Sequence, residues 1–284
     1  MKLVSFKING KASYGIVKDR DVIDVGKRLG AKYADLGTVI AGRALGEVGK
    51  FEGEKPDAKL ADIEYLPTIP APGKVVCIGY NYRAHVAETG AKLPEYPAVF
   101  LKLMSAVVAH EKPIVAPKIS GDYDYEGELA VVIGEGGRHI TAADAMRHVA
   151  GYTIMDDGSV RDWQRQNLIA GKNFPNSGSM GPWMTTADEI PDPAKLTLVT
   201  RVNGEERQRS GVDKLIFDIP KLIAYVSSFT RLEPGDVIST GTPEGVAWSR
   251  KPPLWLKPGD TLEIEISKIG VLRNRVISEA EAGI

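Results

Sequence analysis

The twelve residues 123–134, Tyr-Asp-Tyr-Glu-Gly-Glu-Leu-Ala-Val-Val-Ile-Gly, constrain this chain more than any other stretch. Positions 129–133 are apolar without a break and rich in branched residues, the pattern of a strand buried on both faces. Glu126 and Glu128 stand at its mouth. Strand side chains alternate, so positions i and i+2 leave the backbone on one face, close together. Like charges held that way beside a buried strand raise each other's pKa unless something positive lies between them. A divalent cation meets that need, and hard oxygen ligands with no Cys or His nearby favour Mg²⁺, Mn²⁺ or Ca²⁺ over zinc. An exposed Glu-Gly-Glu strand end is the plainer alternative, and this stretch alone does not separate the two.

Composition narrows the class. At 284 residues the chain can bury a full core and carry a second, smaller domain. A formal net charge of -1 with 26% charged residues offers no nucleic-acid track, no polybasic membrane anchor and no disordered tail. The expected partner is a small molecule. One cysteine, Cys77, excludes an internal disulfide framework and suits a reducing compartment. The first residues alternate rather than forming a signal peptide, and no apolar run approaches the roughly 18 residues that span a bilayer. A soluble, cytoplasmic protein is expected.

Asn9-Gly10 is the strongest hairpin signal, with arms over 3–8 and 12–17 and a third strand over 21–25. Residues 26–62 carry a looser helical pattern. Pro67, Pro70, Pro72 and Gly73 then crowd together, which places a domain boundary near Pro72: a small N-terminal β-rich domain over 1–72 and a larger domain over 73–284. The buried strand 74–79 delivers His85 and Glu88, three apart on one helical turn, where a carboxylate orients an imidazole as a general base or makes a surface ion pair. A second apolar strand, 150–155, runs into Asp156-Asp157, either of which could ligate a cation or cap the following helix. Arg161 and Gln164 are spaced to reach a bound anion. Lys172 lies in a glycine- and aromatic-flanked loop, partly desolvated or solvated. Asn203-Gly204 predicts a second hairpin, and residues 219–229 a core helix with Pro220 in its first turn. The glycine loop 239–246 leaves backbone N–H groups and the Thr242 hydroxyl free to hold a carboxylate.

Together these pieces resemble the fumarylacetoacetate hydrolase (FAH) family, bacterial two-domain type, over residues 74–276. Five separated motifs carry the resemblance in the family's order. Residues 79–82 leading to His85 and Glu88 resemble its G-x-N-Y-x-x-H-x-x-E segment, and residues 124–129 its E-x-E strand. Residues 157–164 resemble its D-x-S-x-R-D-x-Q motif, Gly171-Lys172 its G-K loop, and residues 240–243 its T-G-T-P loop. Any one of these is weak, and five in sequence order are strong.

The resemblance implies an α+β, β-rich fold, with a mixed β-roll/β-sandwich catalytic domain behind the small N-terminal domain. It implies Mg²⁺ or Mn²⁺, with Ca²⁺ as a further choice, held by Glu126, Glu128 and Asp157, which is thereby preferred over Asp156. It makes His85 and Glu88 the water-activating pair and Lys172 the group that balances charge. Arg161, Gln164, Thr242 and Tyr82 become substrate-binding, with Arg161 as a bidentate hold on a carboxylate. Asp156 stands where the family often has Asn and adds a negative charge beside the metal. Leu103 stands where Pro often follows the Phe-x-Lys lysine, which leaves Lys102 without an assigned role.

The implied activity is metal-dependent hydrolysis of a carbon–carbon bond in an acylpyruvate or β-diketone acid, fumarylacetoacetate- or fumarylpyruvate-like, through a metal-stabilised enolate. The alternatives are an isomerase, decarboxylase or hydratase acting on 2-oxo acids or 2-hydroxymuconate-type ring-fission products of aromatic catabolism. A catalytically silent metal-binding protein is the reading from another class. The resemblance also implies a homodimer formed through the larger domain.

Overall fold

Asn9 and Gly10 both adopt positive φ (50° and 76°), so strands Lys2–Ile8 and Lys11–Lys18 close as a tight hairpin whose last pair is Ile8 with Lys11. Asn203 and Gly204 repeat the device (54° and 80°) between Thr197–Val202 and Glu205–Gly211. The computed structural model describes residues 1–284 and builds these hairpins into two main sheets.

The larger sheet has twelve strands. At its centre Gly127–Ile133 lies between the antiparallel neighbours Val149–Asp156 and Val237–Ser239, and Val75–Gly79 and Ala98–Leu101 complete that side. The smaller sheet has five strands, Glu205–Gly211, Thr197–Val202, Thr261–Ile266, Gly270–Ser278 and Ile114–Ala116 in spatial order. Helix Ile219–Phe229, capped by the Asp218 carboxylate on Lys221 N–H at 3.0 Å, packs Ile219, Leu222, Ile223 and Val226 inward.

Every residue of Gly127–Ile133 is buried. Leu129, Val131 and Ile133 join a core shared with Leu198, Ile264 and Leu272 of the smaller sheet, while Ala130 and Val132 join the opposite core with Leu3, Ile16, Met155 and Met184. Period-2 alternation thus feeds two cores from one strand, each large apolar side chain contributing about 1.5–3 kcal/mol on burial. The fold is α+β and β-rich, as expected.

The N-terminal segment is β-rich, and Lys2 and Leu3 pair with Thr185 and Met184, so one sheet and one core run across the prolines around residue 70. Residues 26–62 form three short α-helices, Gly26–Leu29, Leu36–Ala41 and Leu45–Gly49, followed by the two-residue strand Ala58–Lys59 and a 3₁₀ turn over Leu60–Asp62. No helix is long and apolar enough to cross a membrane.

Candidate active site

Antiparallel pairing sets the start of one strand beside the end of its neighbour. Gly127 pairs with Asp156, and Asp157 N–H donates to Glu126 O at 2.9 Å, so Glu126 and Glu128 meet Asp157 at the same edge. Ligand atoms of these three carboxylates lie within 4.8 Å of one another, and all three side chains are buried. Gly127 separates the two glutamates because a Cβ there would run into the Thr200 hydroxyl and Ile264 of the facing sheet.

Three buried cations surround the cluster. Lys172 Nζ reaches Glu126 Oε2 at 2.5 Å and Asp157 Oδ2 at 2.8 Å. Lys102 Nζ donates to Asp157 Oδ1 at 2.7 Å and to the carbonyls of Gly158 and Lys172 at 2.9 and 2.8 Å. Arg161 bonds Asp124 through Nε at 2.8 Å and Gln164 Oε1 through Nη1 at 2.8 Å, and its Nη2 lies 2.6 Å from Glu126 Oε1. Burial opposes ionisation of Glu126, yet Lys172 and Arg161 hold its carboxyl down to about 2.

Glu128 has the opposite fate. Burial, then Asp157 and Glu126, push its carboxyl well above the usual range, and no cation pairs with it. Only the Ser239 hydroxyl at 2.5 Å and Gly241 N–H at 2.9 Å donate to it, both on Oε2. Asp156 is pushed up to about 7, chiefly by burial; its Oδ1 accepts Glu126 N–H at 3.0 Å, and Oδ2 has no partner. Full ionisation of Asp124, Glu126, Glu128, Asp156 and Asp157 would therefore exceed the charge of Lys102, Arg161 and Lys172. Hard carboxylate oxygens, one of them without a cation, in a site short of positive charge fit a divalent ion such as Mg²⁺ or Mn²⁺.

His85 and Glu88 lie on helix Arg83–Thr89, with Nδ1 and Oε1 2.7 Å apart. Burial works against the Glu88 charge, but hydrogen bonds from His85 and from Gly245 N–H, the latter at 2.9 Å, hold its carboxyl below the ordinary range. An ionised carboxylate only accepts, so His85 carries its proton on Nδ1 and leaves Nε2 as the basic nitrogen. The Tyr80 ring stacks on the imidazole at 5.9 Å between centroids.

A cavity of about 270 Å³ joins the two constellations; Glu126, Glu128, His85, Gln164, Lys172 and Thr242 all line it. Nine of the ten expected residues thus converge, Glu88 and Asp157 through their bonded partners and Arg161 on the cavity wall. The tenth, Tyr82, does not. Its side chain is buried away from this cavity, beside a second depression with Arg83 and Lys214, and Tyr80 stands in the expected place.

Three expected details also change. Arg161 is no free clamp, because all its nitrogens face Asp124, Gln164 or Glu126. The Thr242 hydroxyl is committed to Gly127 O at 3.0 Å and accepts Gln208 Nε2 at 2.8 Å. The glycine loop does hold carboxylates, but they are the protein's own: Gly241 N–H binds Glu128 and Gly245 N–H binds Glu88. Lys102, without a role in the sequence reading, is a buried strut beneath Asp157.

Residues 74–277 match the family described as fumarylacetoacetate (FAA) hydrolase, C-terminal. Oxaloacetate tautomerase FAHD2A, mitochondrial, of Bos taurus is 43% identical over 221 residues, covering 76% of this chain and 70% of that protein. The solved structure of maleylpyruvate hydrolase from Sphingobium sp. SYK-6 in complex with manganese (II) ion and pyruvate is similar, with a TM-score of 0.83 at 29% identity, covering 98% of this chain and 99% of that one. So is 5-carboxymethyl-2-hydroxymuconate delta-isomerase from Mycobacterium smegmatis, with a TM-score of 0.77 at 33% identity, covering 98% of this chain and 100% of that one.

Proposed function

The chain belongs to the fumarylacetoacetate hydrolase family, and from that premise we propose that it hydrolyses a carbon–carbon bond in an acylpyruvate or related 1,3-diketo acid. One observation carries the reading: an imidazole oriented by a carboxylate at 2.7 Å opens on the same cavity as the carboxylate cluster.

Glu126, Glu128 and Asp157 would hold Mg²⁺ or Mn²⁺, with Ca²⁺ a further choice. When bound, such an ion supplies polarisation of a substrate carbonyl and stabilisation of negative charge developing on oxygen. The protein's own groups supply the proton chemistry. His85 Nε2 accepts a proton from water as its oxygen bonds to the distal carbonyl carbon, and Glu88 stabilises the resulting imidazolium. The carbon–carbon bond then breaks with its electron pair going to the 2-oxo fragment, which takes up a proton. Lys172 and Arg161 keep Glu126 ionised throughout, and Lys172 offers charge balance on the cavity side.

The identity to the Bos taurus tautomerase favours a second reading, keto–enol tautomerisation of a 2-oxo acid, in which the His85 and Glu88 pair moves a proton between carbon and oxygen and no bond between carbons breaks. Acetylpyruvate, oxaloacetate and a muconate-type dienol, each with and without Mg²⁺, separate the readings when ultraviolet absorbance is followed together with product identification. Pyruvate plus acetate from acetylpyruvate supports hydrolysis; enol loss with no cleavage product supports tautomerisation. The homodimer and the cytoplasmic location belong to the same proposal, the latter supported by buried, unpaired Cys77.

A further inference from the structure

One buried carboxylate beside the site is bonded in two directions. Asp124, shut off from solvent, accepts Arg161 Nε–H on Oδ2 at 2.8 Å, and Nη2 of the same guanidinium lies 2.6 Å from Glu126 Oε1. The backbone N–H groups of Ala247 and Trp248 also donate to it, on Oδ1 and Oδ2 at 2.7 and 3.1 Å. These residues open the 3₁₀ turn Ala247–Ser249, whose leading N–H groups have no partner within the turn itself. Gly245, just ahead of that turn, gives its N–H to Glu88 Oε2 at 2.9 Å, and its carbonyl accepts the Tyr125 hydroxyl at 3.0 Å. Trp248 lines the cavity, its ring centroid 5.9 Å from the Arg161 guanidinium carbon.

Two chains of contacts therefore leave Asp124. One runs through Arg161 to the carboxylate cluster, and the other through residues 245–248 to the carboxylate that orients His85. We propose that Asp124 is a positioning residue that keeps the His85 and Glu88 pair in register with Glu126, Glu128 and Asp157. It does not line the cavity and acts only through Arg161 and the turn. This rests on the reading of His85 and Glu88 as the pair that moves the proton. Asp124→Asn keeps the shape of the side chain but turns one acceptor into an amide donor that faces N–H groups. The turn then loosens, while Lys172 and Arg161 keep their own holds on Glu126.

Hydrogen exchange of residues 243–249 needs neither substrate nor cation, and it is expected to quicken in Asp124→Asn; unchanged exchange overturns the inference. Kinetics at saturating Mn²⁺ then use acetylpyruvate, oxaloacetate or a muconate-type dienol, whichever the wild type turns over. In Asp124→Asn kcat is expected to fall by at least about tenfold, with KM and calorimetric Mn²⁺ affinity within about threefold. Weaker Mn²⁺ binding with a wild-type kcat at saturation would mean that Asp124 serves the cation site alone, and overturns the inference. A cycle with Glu88→Gln separates positioning from general loosening: if Asp124 acts through Glu88, adding Asp124→Asn to Glu88→Gln lowers kcat by less than about threefold. Losses that multiply in the double variant overturn the role of Asp124 and leave the pair standing. Wild-type kcat in Glu88→Gln, or turnover of none of the three compounds by the wild type, overturns the reading of the pair and this inference with it. If Asp124→Asn does not fold, Tyr125→Phe loosens the same turn from the Gly245 carbonyl and carries both readouts in its place. A smaller change of the same sign is then expected, and wild-type exchange and kcat overturn the inference.

Discussion

Lys102 Nζ lies 2.7 Å from Asp157 Oδ1, and both side chains are wholly shut off from solvent. The same ammonium also ties Gly158 O and Lys172 O, so a single group fixes the strand end that presents Asp157 and the turn that presents Lys172. Lys102→Met leaves two carbonyls and a carboxylate oxygen without a donor, and we predict a loss of about 3–5 kcal/mol in urea unfolding. An unchanged midpoint would show that the strut carries no load.

Glu128 should respond in the opposite direction. Its carboxyl is buried without a cation partner, so folding of the wild type must either protonate it or bury its charge beside Asp157 and Glu126, a cost that Glu128→Gln removes. The metal-free variant is predicted to melt about 3 °C higher than the wild type. Calorimetric Mg²⁺ and Mn²⁺ binding should fall sharply in the same protein. A lower melting point together with normal divalent binding would contradict the role given to this residue.

His85→Ala tests the division between proton transfer and cation binding. Turnover of the best substrate is expected to drop by at least about 100-fold, while divalent affinity stays within about twofold. Full activity in the variant removes His85 from the chemistry; lost metal affinity places it in the wrong constellation.

Gly171 has no room for a side chain, because a Cβ would fall on the backbone of Gln164. The short helices Arg161–Gln166 and Leu168–Lys172 touch there, and Gln164 and Lys172 take their places from that contact. Gly171→Ala is predicted to cost about 1–3 kcal/mol and to weaken 2-oxo acid binding. Wild-type values for both would mean that the helices part without consequence.

Acid lability has a contributor remote from the site. Burial first, and Arg273 second, push the His110 imidazole down to about 4, and its Nδ1 accepts Arg273 N–H at 3.0 Å, which requires the neutral ring. The unfolded chain takes up this proton near pH 6.5, so it binds more protons than the native state between the two values. The stability involved is fully present above about pH 6.5 and is lost as pH falls to about 4. Between pH 7 and 4 the wild type should lose about 3 kcal/mol more than His110→Gln, read as the difference between urea midpoints at the two pH values. Equal losses would place the acid sensitivity elsewhere.

What the sequence made legible was local. Glu126 with Glu128, and His85 with Glu88, are pairs whose geometry follows from a strand or helix period, and both pairs took up the expected arrangement. Lys102 was opaque because its partners Asp157, Gly158 and Lys172 are 55, 56 and 70 residues away. Tyr82, implied only by the resemblance, does not line the cavity; Tyr80 does, at a φ of 55° where the strand Val75–Gly79 has ended. Asn81 holds the chain there by donating to Phe217 O and Thr240 O at 3.0 and 2.8 Å, again across long stretches of chain. The prolines around residue 70 suggest a boundary, but nothing in them reveals which strands pair across it.

Because Lys2 and Leu3 are hydrogen-bonded to Thr185 and Met184, the first residues of the chain are stitched into the platform that carries the carboxylates. A fragment cut at Pro72 would bare that stretch of backbone and the apolar face behind it, an invitation to self-association. Swapping the front segment between relatives would therefore have to carry over a compatible edge, residue for residue, before any change in chemistry could be judged.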